Sequence, residues 1–311
     1  MTHSAPPDPG LIPGQRLYLL LGAMLVAGSA LLFSVKAVLV KCVYPYGVDA
    51  LTLLTLRMGI SLPLFAIIAW FEQRRRAHTL PAGDLSRCLG LGILGYYLAS
   101  FLDFEGLRFI GVGLERMVLY IYPTIVVLVG AIAGRQRISP LVAGALVATY
   151  AGIGLTYAGR SHDGAQRALG CALVAGSAVT YALFVLGSST MIARLGARAF
   201  MSVAMVGACL AMLLHAAIAA LIQGGSPLFC LPPVVYAYGA ALALLCTVAP
   251  ALLMGDGLKR VGAQRFAIIS TIGPLGTVLL GWLLLGEALT PVNGLGIALT
   301  MAAGVAMGIG K

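Results

Sequence analysis

The chain contains 311 residues, of which 60% are hydrophobic and 10% are charged, and its formal net charge is +10. A soluble domain carries roughly a quarter of its residues as charges, so this composition excludes a soluble globular protein and indicates a polytopic membrane protein. The positive charges lie mostly in short loops, where they orient helices in a bilayer, and they therefore do not predict a nucleic-acid partner. The six cysteines show no metal-ligand spacing.

Apolar runs that are long enough to cross a bilayer as helices recur along the whole chain. Residues 1–16 are polar and Pro-rich, and no signal-peptide pattern with a cleavage site precedes the first apolar run. The runs are continuously apolar and do not alternate in polarity, which favours helices over barrel strands. Ten spans are predicted, at about residues 17–40, 48–71, 87–108, 110–133, 140–158, 169–188, 199–222, 234–257, 264–285 and 291–310.

The charges in the loops orient these spans through the positive-inside rule. With the N-terminus inside, thirteen Lys and Arg side chains fall in inner loops and four fall in outer loops. Both termini are therefore predicted to be cytoplasmic, in a protein of the cell inner (plasma) membrane.

The sequence repeats itself. Residues 105–111 return 151 residues later as residues 256–262, and the same offset carries Pro123 onto Pro274. Residues 28–33 match residues 176–181 at a slightly shorter offset.

Two repeats are therefore predicted, at residues 17–158 and 169–310, after a cytoplasmic tail at residues 1–16 and on either side of a loop at residues 159–168. Each repeat holds five spans, and an odd number forces the second repeat to lie inverted relative to the first. Inverted repeats are the construction of many secondary transporters, in which a central site opens to either side.

A resemblance to a known family rests on four features: Lys36 late in the first span, Arg57 in the second, the repeated Pro123 and Pro274, and Gly286-Glu287 at the end of the ninth span. In these features the chain resembles the ten-helix EamA-type exporters of the drug/metabolite transporter superfamily, over about residues 17–310. The resemblance implies an all-α membrane fold and a substrate path between the halves, lined by helices 1, 3, 4, 6, 8 and 9. In the first repeat the position that matches Glu287 is Gln136. This difference from the family pattern argues against the same role for a carboxylate in both repeats.

Five charged side chains are predicted to lie within the membrane, in the outer half of the first repeat. A charge inside a span costs roughly 2.5–3.5 kcal/mol on insertion scales, so each of them is a candidate substrate-binding or coupling residue. Their counterparts in the second repeat are mostly apolar, so the fold alone does not require them. They are Lys36, Arg57, Asp103, Glu115 and Arg116.

Two interpretations of these charges stay open. Buried charges pair, so the cluster can be a structural network, for example of Arg116 with Asp103 and of Arg57 with Glu115. Lys36 can also extend to the outer surface. Alternatively the cluster handles solute or protons. Arg116 or Lys36 would then bind an anionic group, and Glu115 or Asp103 would take up a proton in each cycle.

The other candidate binding or coupling residues are aromatic and hydroxyl side chains inside predicted spans: Tyr97, Tyr120, Tyr181, Thr247, Ser270 and Thr271. A buried Tyr needs a partner for its hydroxyl, although helix packing alone also explains such residues. Proline removes a backbone donor, so Pro123, Pro250 and Pro274 are predicted to kink their helices. Broken helices near the midplane indicate a binding site.

Two acidic residues occupy equivalent corners of the repeats. Glu105 precedes Arg108 by three residues and Asp256 precedes Lys259 by three, a spacing that brings opposite charges onto one helix face. We expect these pairs to act as structural corners or gates.

The sequence therefore predicts a secondary transporter that exports a small organic metabolite, an amino acid or a related compound, by alternating access that is either proton-linked or facilitated. The alternatives are an importer or exchanger of an anionic metabolite and, in another class, a membrane scaffold or lipid-handling protein. No catalytic constellation, ATP site, metal site or cofactor site is found, which argues against an enzyme. The expected partners are the solute, protons and the bilayer, with the chain as a monomer or a homodimer.

Overall fold

The computed structural model describes residues 13–76, 80–132, 164–223, 230–270 and 272–287, with a few isolated positions besides. Every regular element in those ranges is a helix. We number the helices α1 Pro13–Val43, α2 Ala50–Arg74, α3 Ala82–Leu107, α4 Val112–Leu119, α5 Tyr122–Ile132, α6 Gly164–Leu195, α7 Ala197–Gln223, α8 Pro233–Ala243, α9 Ala249–Ser270 and α10 Ile272–Leu285. A short 3-10 turn at Tyr44–Tyr46 follows α1.

Six helical segments in the described ranges are long and apolar enough to cross a membrane: Leu17–Tyr46, Ala50–Arg74, Ala82–Leu107, Gly164–Leu195, Ala197–Gln223 and Pro233–Met254. They coincide with the first, second, third, sixth, seventh and eighth predicted spans. The fifth and tenth predicted spans and most of the loop at residues 159–168 lie outside the described residues. The all-helical membrane class is thus confirmed in the part of the chain that the structure describes.

The fourth predicted span is divided in the structure, because α4 ends at Leu119 and α5 begins at Tyr122. Proline at position 123 has no N–H to donate to the carbonyl one turn earlier, and it is well suited to the first turn of a new helix. In the second repeat the residue between α9 and α10, at position 271, lies outside the described residues, so the structure is compared with the predicted kink at position 123 alone.

The boundary that we predicted between the eighth and ninth spans, at residues 258–263, differs from the structure. The backbone stays helical from Ala249 to Ser270. Residues 258–263 contain Gly but no Pro, so none of these six residues lacks the backbone donor that a continuing helix needs.

Two π turns, which sequence analysis did not predict, widen α3 and the α8–α9 junction. They lie at Ile93–Leu98 and at Leu244–Val248, again 151 residues apart at their first residues. In the second, the N–H of Ala249 reaches back five residues to the carbonyl of Leu244. This second π turn ends two residues before Pro250, where the sequence predicted a kink. Such turns mark functional sites in many helices.

The two repeats exchange equivalent contacts. A methyl group added at Gly106 in α3 would lie 2.5 Å from Val174 Cγ2 in α6, and one added at Gly257 in α9 would lie 2.7 Å from Val26 Cγ2 in α1. These two pairs correspond to each other under the repeat offsets. The first helix of each repeat therefore packs closely against the third helix of the other.

The helices α1 and α6, which open the two repeats, run in opposite directions past α3. Lys36, late in α1, hydrogen-bonds Asp103, and Tyr44, in the 3-10 turn that follows α1, donates to the carbonyl of Phe104, late in α3. Gly170, early in α6, lies against the same end of α3. The end of α1 and the start of α6 thus meet at one end of α3.

Large apolar side chains remain exposed on the outer faces of these helices. Leu221 and Ile222 of α7 are 83% and 80% exposed, and Trp282 of α10 is about half exposed. A soluble monomer rarely presents so much apolar surface. A lipid bilayer covers such faces.

Candidate functional site

A direct ion pair joins α1 to α3 in the interior. Lys36 Nζ donates to Asp103 Oδ2, and the two side chains are 13% and 2% exposed. The aromatic ring of Phe104 lies 6.0 Å from the Lys36 ammonium. The second carboxylate oxygen of Asp103 has no hydrogen-bond partner among the described residues.

The short helix α4 contributes a second acidic group and a second basic group. Glu115 is completely buried, and its Oε2 lies 3.8 Å from Nε of the neighbouring Arg116, beyond hydrogen-bond distance. Arg116 Nη2 instead donates to the carbonyl oxygen of Phe33 in α1 at 3.3 Å. Neither oxygen of Glu115 accepts a hydrogen bond from the described residues.

The carboxyl groups of Asp103 and Glu115 lie in side-chain contact with each other. Three of their four oxygens are buried without a hydrogen bond from the described residues. Buried polar atoms are rarely left unpaired in native proteins, so each such atom needs an explanation. A proton shared between the two groups, or a ligand that donates to both, would satisfy these oxygens.

Arg57 of α2 forms the other side of the site. Its guanidinium is 2% exposed; Nε donates to Thr247 Oγ1 at 2.7 Å, and Nη1 makes a long 3.4 Å contact with Ser100 Oγ. Its central carbon lies 5.5 Å from the centre of the Phe104 ring. No carboxylate of the described residues forms a salt bridge with it.

Both π turns supply side chains around Arg57. Thr247 belongs to the second π turn and donates its own hydroxyl to the carbonyl of Leu242 at 2.8 Å. Tyr96, 151 residues earlier, belongs to the first π turn and lies close enough to interact with Arg57 electrostatically. The same position of each repeat is thus directed to one guanidinium.

The structure confirms that the five charges gather in one region, but it pairs them differently from our examples. Asp103 pairs with Lys36 and not with Arg116, and Glu115 lies beside Arg116 and not beside Arg57. Lys36 does not extend to the surface. Side-chain partners depend on the relative shift of α1, α3 and α4, which apolar runs do not define.

The aromatic candidates fall into two groups. Tyr120, Tyr122 and Tyr181 are joined by ring contacts, with centroids 6.1 Å apart for the first pair and 5.0 Å for the second. Tyr97 points elsewhere, with its hydroxyl 3.0 Å from Nδ1 of His215 in α7. The structure therefore separates Tyr97 from the charge cluster.

Some predicted site residues cannot be placed. Thr271 and Gln136 lie outside the described residues, as do the side chains of Ser270, Pro123 and Pro274. Pro250 is described, and its carbonyl accepts a hydrogen bond from Ser29 of α1 at 2.9 Å.

The acidic corners behave differently from each other. Glu105 and Arg108 form the expected pair at 2.9 Å. Asp256 binds Arg198 of α7 through both carboxylate oxygens. The side chain of Lys259 lies outside the described residues.

Three residues near the site were not among the predicted site residues. Tyr96 and Ser100 approach Arg57, and Glu287 accepts hydrogen bonds from the N–H groups of Val112 and Gly113 at the start of α4, at 2.8 and 3.3 Å. The sequence shows that Gly286-Glu287 ends a predicted span. It does not show which helix the Glu287 carboxylate caps.

Metal chemistry has no support in the described ranges, where no group of three or more His, Cys, Asp or Glu side chains could hold an ion. The described cysteines are all free thiols.

Comparison with known proteins identifies the family. The EamA-like transporter family matches this chain twice, over residues 20–158 and over residues 168–308. The chain belongs to this family. Membership makes it a membrane transporter of a small-molecule solute and not an enzyme.

Individual relatives agree with membership in the EamA-like family. The uncharacterized transporter YcbK of Bacillus subtilis is 29% identical over 276 residues, which cover 88% of each chain. The threonine/homoserine exporter RhtA of Escherichia coli is 31% identical over 134 residues, 43% of each chain. One protein of known crystal structure matches with a TM-score of 0.64 at 16% identity, over 93% of this chain and 99% of its own, which shows a common fold alone.

Proposed function

We propose that this protein is a secondary transporter that exports a small organic metabolite, an amino acid or a related compound, across the cell inner membrane. The observation that carries the proposal is a set of buried, incompletely paired charges inside a member of a transporter family. Intramembrane ionisable groups mark substrate or ion pathways. The choice of amino acids is supported by the matching segment of RhtA, whose name describes a threonine/homoserine exporter.

Alternating access between two inverted repeats is the proposed mechanism. The proposed arrangement has ten spans, with repeats at residues 17–158 and 169–310 and both termini in the cytoplasm. The exchanged contacts of Gly106 and Gly257, and the opposite directions of α1 and α6, support it. Two pseudo-symmetric halves can exchange conformations around a central site and thereby open it to either side in turn.

Proton linkage is proposed for the Asp103–Glu115 pair. Two adjoining carboxyl groups repel each other when both are ionised, so one of them binds a proton readily. Lys36 already neutralises Asp103 through a direct hydrogen bond. Glu115 is therefore the group that we expect to gain and lose the proton.

Counterflow in proteoliposomes tests this proposal. Purified protein would be reconstituted with an internal pool of unlabelled L-threonine, L-homoserine or L-alanine, and uptake of the same labelled amino acid would be measured together with lumenal pH. We expect counterflow of at least one amino acid, and a pH change that is absent in Glu115→Gln but present in Glu105→Gln. Protein that moves none of these amino acids would contradict export of amino acids.

An exchanger of an anionic metabolite is the second candidate, because Arg57 has no carboxylate partner in the described part of the chain. The same liposomes, loaded with L-lactate or succinate, would distinguish an anion exchanger from an amino acid exporter. Counterflow of these acids without counterflow of amino acids would favour the anion exchanger, and no flux of any solute would favour a scaffold.

A further inference from the structure

The charges of the site do not balance one another within the described residues. Lys36 neutralises Asp103, and Arg116 lies beside Glu115. Arg57 is left with hydroxyl partners only. A buried guanidinium without an anion is costly, because its transfer from water is not compensated.

The geometry holds Arg57 ready for an anion. Thr247 donates its hydroxyl to Leu242 and accepts from Arg57 Nε, so this hydroxyl anchors one edge of the guanidinium. The Nη1 atom makes only the 3.4 Å contact with Ser100, and Nη2 donates to no described residue. Two parallel N–H donors of this kind match the two oxygens of a carboxylate.

A complementary set of acceptors belongs to the same cluster of charges. Phe104 contacts both Arg57 and Lys36 through its aromatic face, and Asp103 interacts electrostatically with Arg57. Three oxygens of the Asp103 and Glu115 carboxyl groups are buried and receive no hydrogen bond from the described residues. An ammonium group carries three N–H donors and no acceptor, and it would satisfy such a set.

We propose that the transported solute is a zwitterionic α-amino acid whose carboxylate binds Arg57 and whose ammonium binds the Asp103–Glu115 pair. This inference rests on the proposed transport function and deepens it. A simple amine would leave Arg57 without an anion, and a simple organic anion would leave the acidic oxygens to a shared proton alone. A solute that carries both charges supplies a partner to both sides.

Substrate analogues test the assignment in wild-type proteoliposomes. L-Alanine would be compared with L-alanine methyl ester, which lacks the carboxylate charge, and with L-lactate, which lacks the ammonium. L-Threonine would be compared with its methyl ester and with 2,3-dihydroxybutyrate. We expect each analogue to compete about 10- to 100-fold more weakly than its amino acid, the range of one charged hydrogen-bonding group. Equal competition by an ester or a hydroxy acid would overturn the proposal.

Variants then assign each end of the solute. Arg57→Gln should weaken amino acid competition about 10- to 100-fold and abolish the preference over the ester, while keeping the preference over the hydroxy acid. Glu115→Gln should abolish the preference of the amino acid over the hydroxy acid and keep its preference over the ester. Arg108→Gln and Glu105→Gln are matched controls from the partly exposed pair and should behave as wild type.

The ratio of competition by the amino acid to competition by its ester distinguishes a binding role of Arg57 from a structural one. A merely structural Arg57 would lower flux without changing the ratio of amino acid to ester, and that result would overturn the assignment. Arg57→Lys, which keeps the charge, should retain the ester discrimination if Arg57→Gln does not fold. Amino-acid-induced thermal stabilisation of the purified protein gives a second measure of the same ratios. Absence of all flux and all stabilisation in wild type would instead contradict the transport proposal itself.

Discussion

Lys36 has a partner that offsets the cost of its burial, whereas Glu115 receives no hydrogen bond from a donor among the described residues. The first pair is a fixed link between α1 and α3. The second carboxyl group is available for a proton or a ligand. Under the proposed function, the same cluster combines a structural pair with a carboxyl group that handles protons or solute.

Removing Lys36 should destabilise the protein by leaving a buried carboxylate unpaired. We expect Lys36→Met to cost about 3–5 kcal/mol, and the double variant Lys36→Met with Asp103→Leu to recover most of that loss. Thermal unfolding of the purified protein in detergent measures both. Arg108→Met removes a half-exposed arginine and should have little effect. A double variant as unstable as the single one would show that the unpaired Asp103 carboxylate does not cause the loss of stability.

Sequence reasoning located the charge cluster because charges in apolar runs are conspicuous. It did not find the partners, since a helix rotates about 100° per residue and a small shift of α1 against α3 exchanges neighbours. Tyr97 was predicted to join the site, but its hydroxyl lies against His215, while its neighbour Tyr96 interacts electrostatically with Arg57. The π turn at Ile93–Leu98 rotates this segment, and composition does not reveal π turns.

At the scale of elements, α4 depends on the second repeat for its N-terminal cap. Its first N–H groups have no partner within the helix, and the carboxylate of Glu287 accepts from Val112 and Gly113. The negative charge also favours the positive end of the helix dipole. The short helix that carries Glu115 and Arg116 is thereby attached to the end of α10.

Glu287→Ala should therefore loosen α4. We expect a loss of about 0.5–2 kcal/mol in stability, with faster hydrogen exchange at residues 112–119. Hydrogen exchange followed by mass spectrometry measures the local effect. Glu72→Ala, in a surface pair with Arg75, is the matched control. Unchanged exchange in α4 would contradict the capping role.

Close packing of α3 on α7 gives a second test at this scale. A methyl group at Gly92 would lie 1.8 Å from the carbonyl oxygen of Ala204, whereas one at Gly90 would meet nothing within 4 Å. We expect Gly92→Ala to cost about 1–3 kcal/mol or more and Gly90→Ala to stabilise the helix by up to about 1 kcal/mol. Melting temperatures of the two variants should move in opposite directions. Equal shifts would argue against a tight α3–α7 contact.

For the molecule as a whole, the repeat was visible in the sequence and the exchange of contacts was not. The offsets of 151 and 148 residues matched positions along the chain, but nothing in them showed that Val26 packs on Gly257 while Val174 packs on Gly106. Long-range pairing between spans depends on shape complementarity, which a single sequence does not encode in a readable pattern. The approximate limits of the six long apolar helices in the described ranges were more accessible, because each needs a continuous apolar run.

The proposed inversion predicts the accessibility of the two corners. In a background without native cysteines, Arg108→Cys should react with a membrane-impermeant maleimide in intact cells. Arg198→Cys, beside Asp256, should react only after permeabilisation, as should Arg75→Cys after α2. Labelling of Arg108→Cys and Arg198→Cys from the same side would contradict inverted repeats.

The π turns also carry information about ancestry. The same widening of the helix at Ile93–Leu98 and at Leu244–Val248 fits duplication of one half-length precursor, which would have had five helices in the proposed arrangement. Under the proposed inversion, that precursor had to insert into the membrane in both orientations and assemble with an oppositely oriented copy of itself. Every residue then occurred twice in each assembly. Fusion of the two genes allowed Lys36, Asp103, Glu115 and Arg116 to occur once, in one half only.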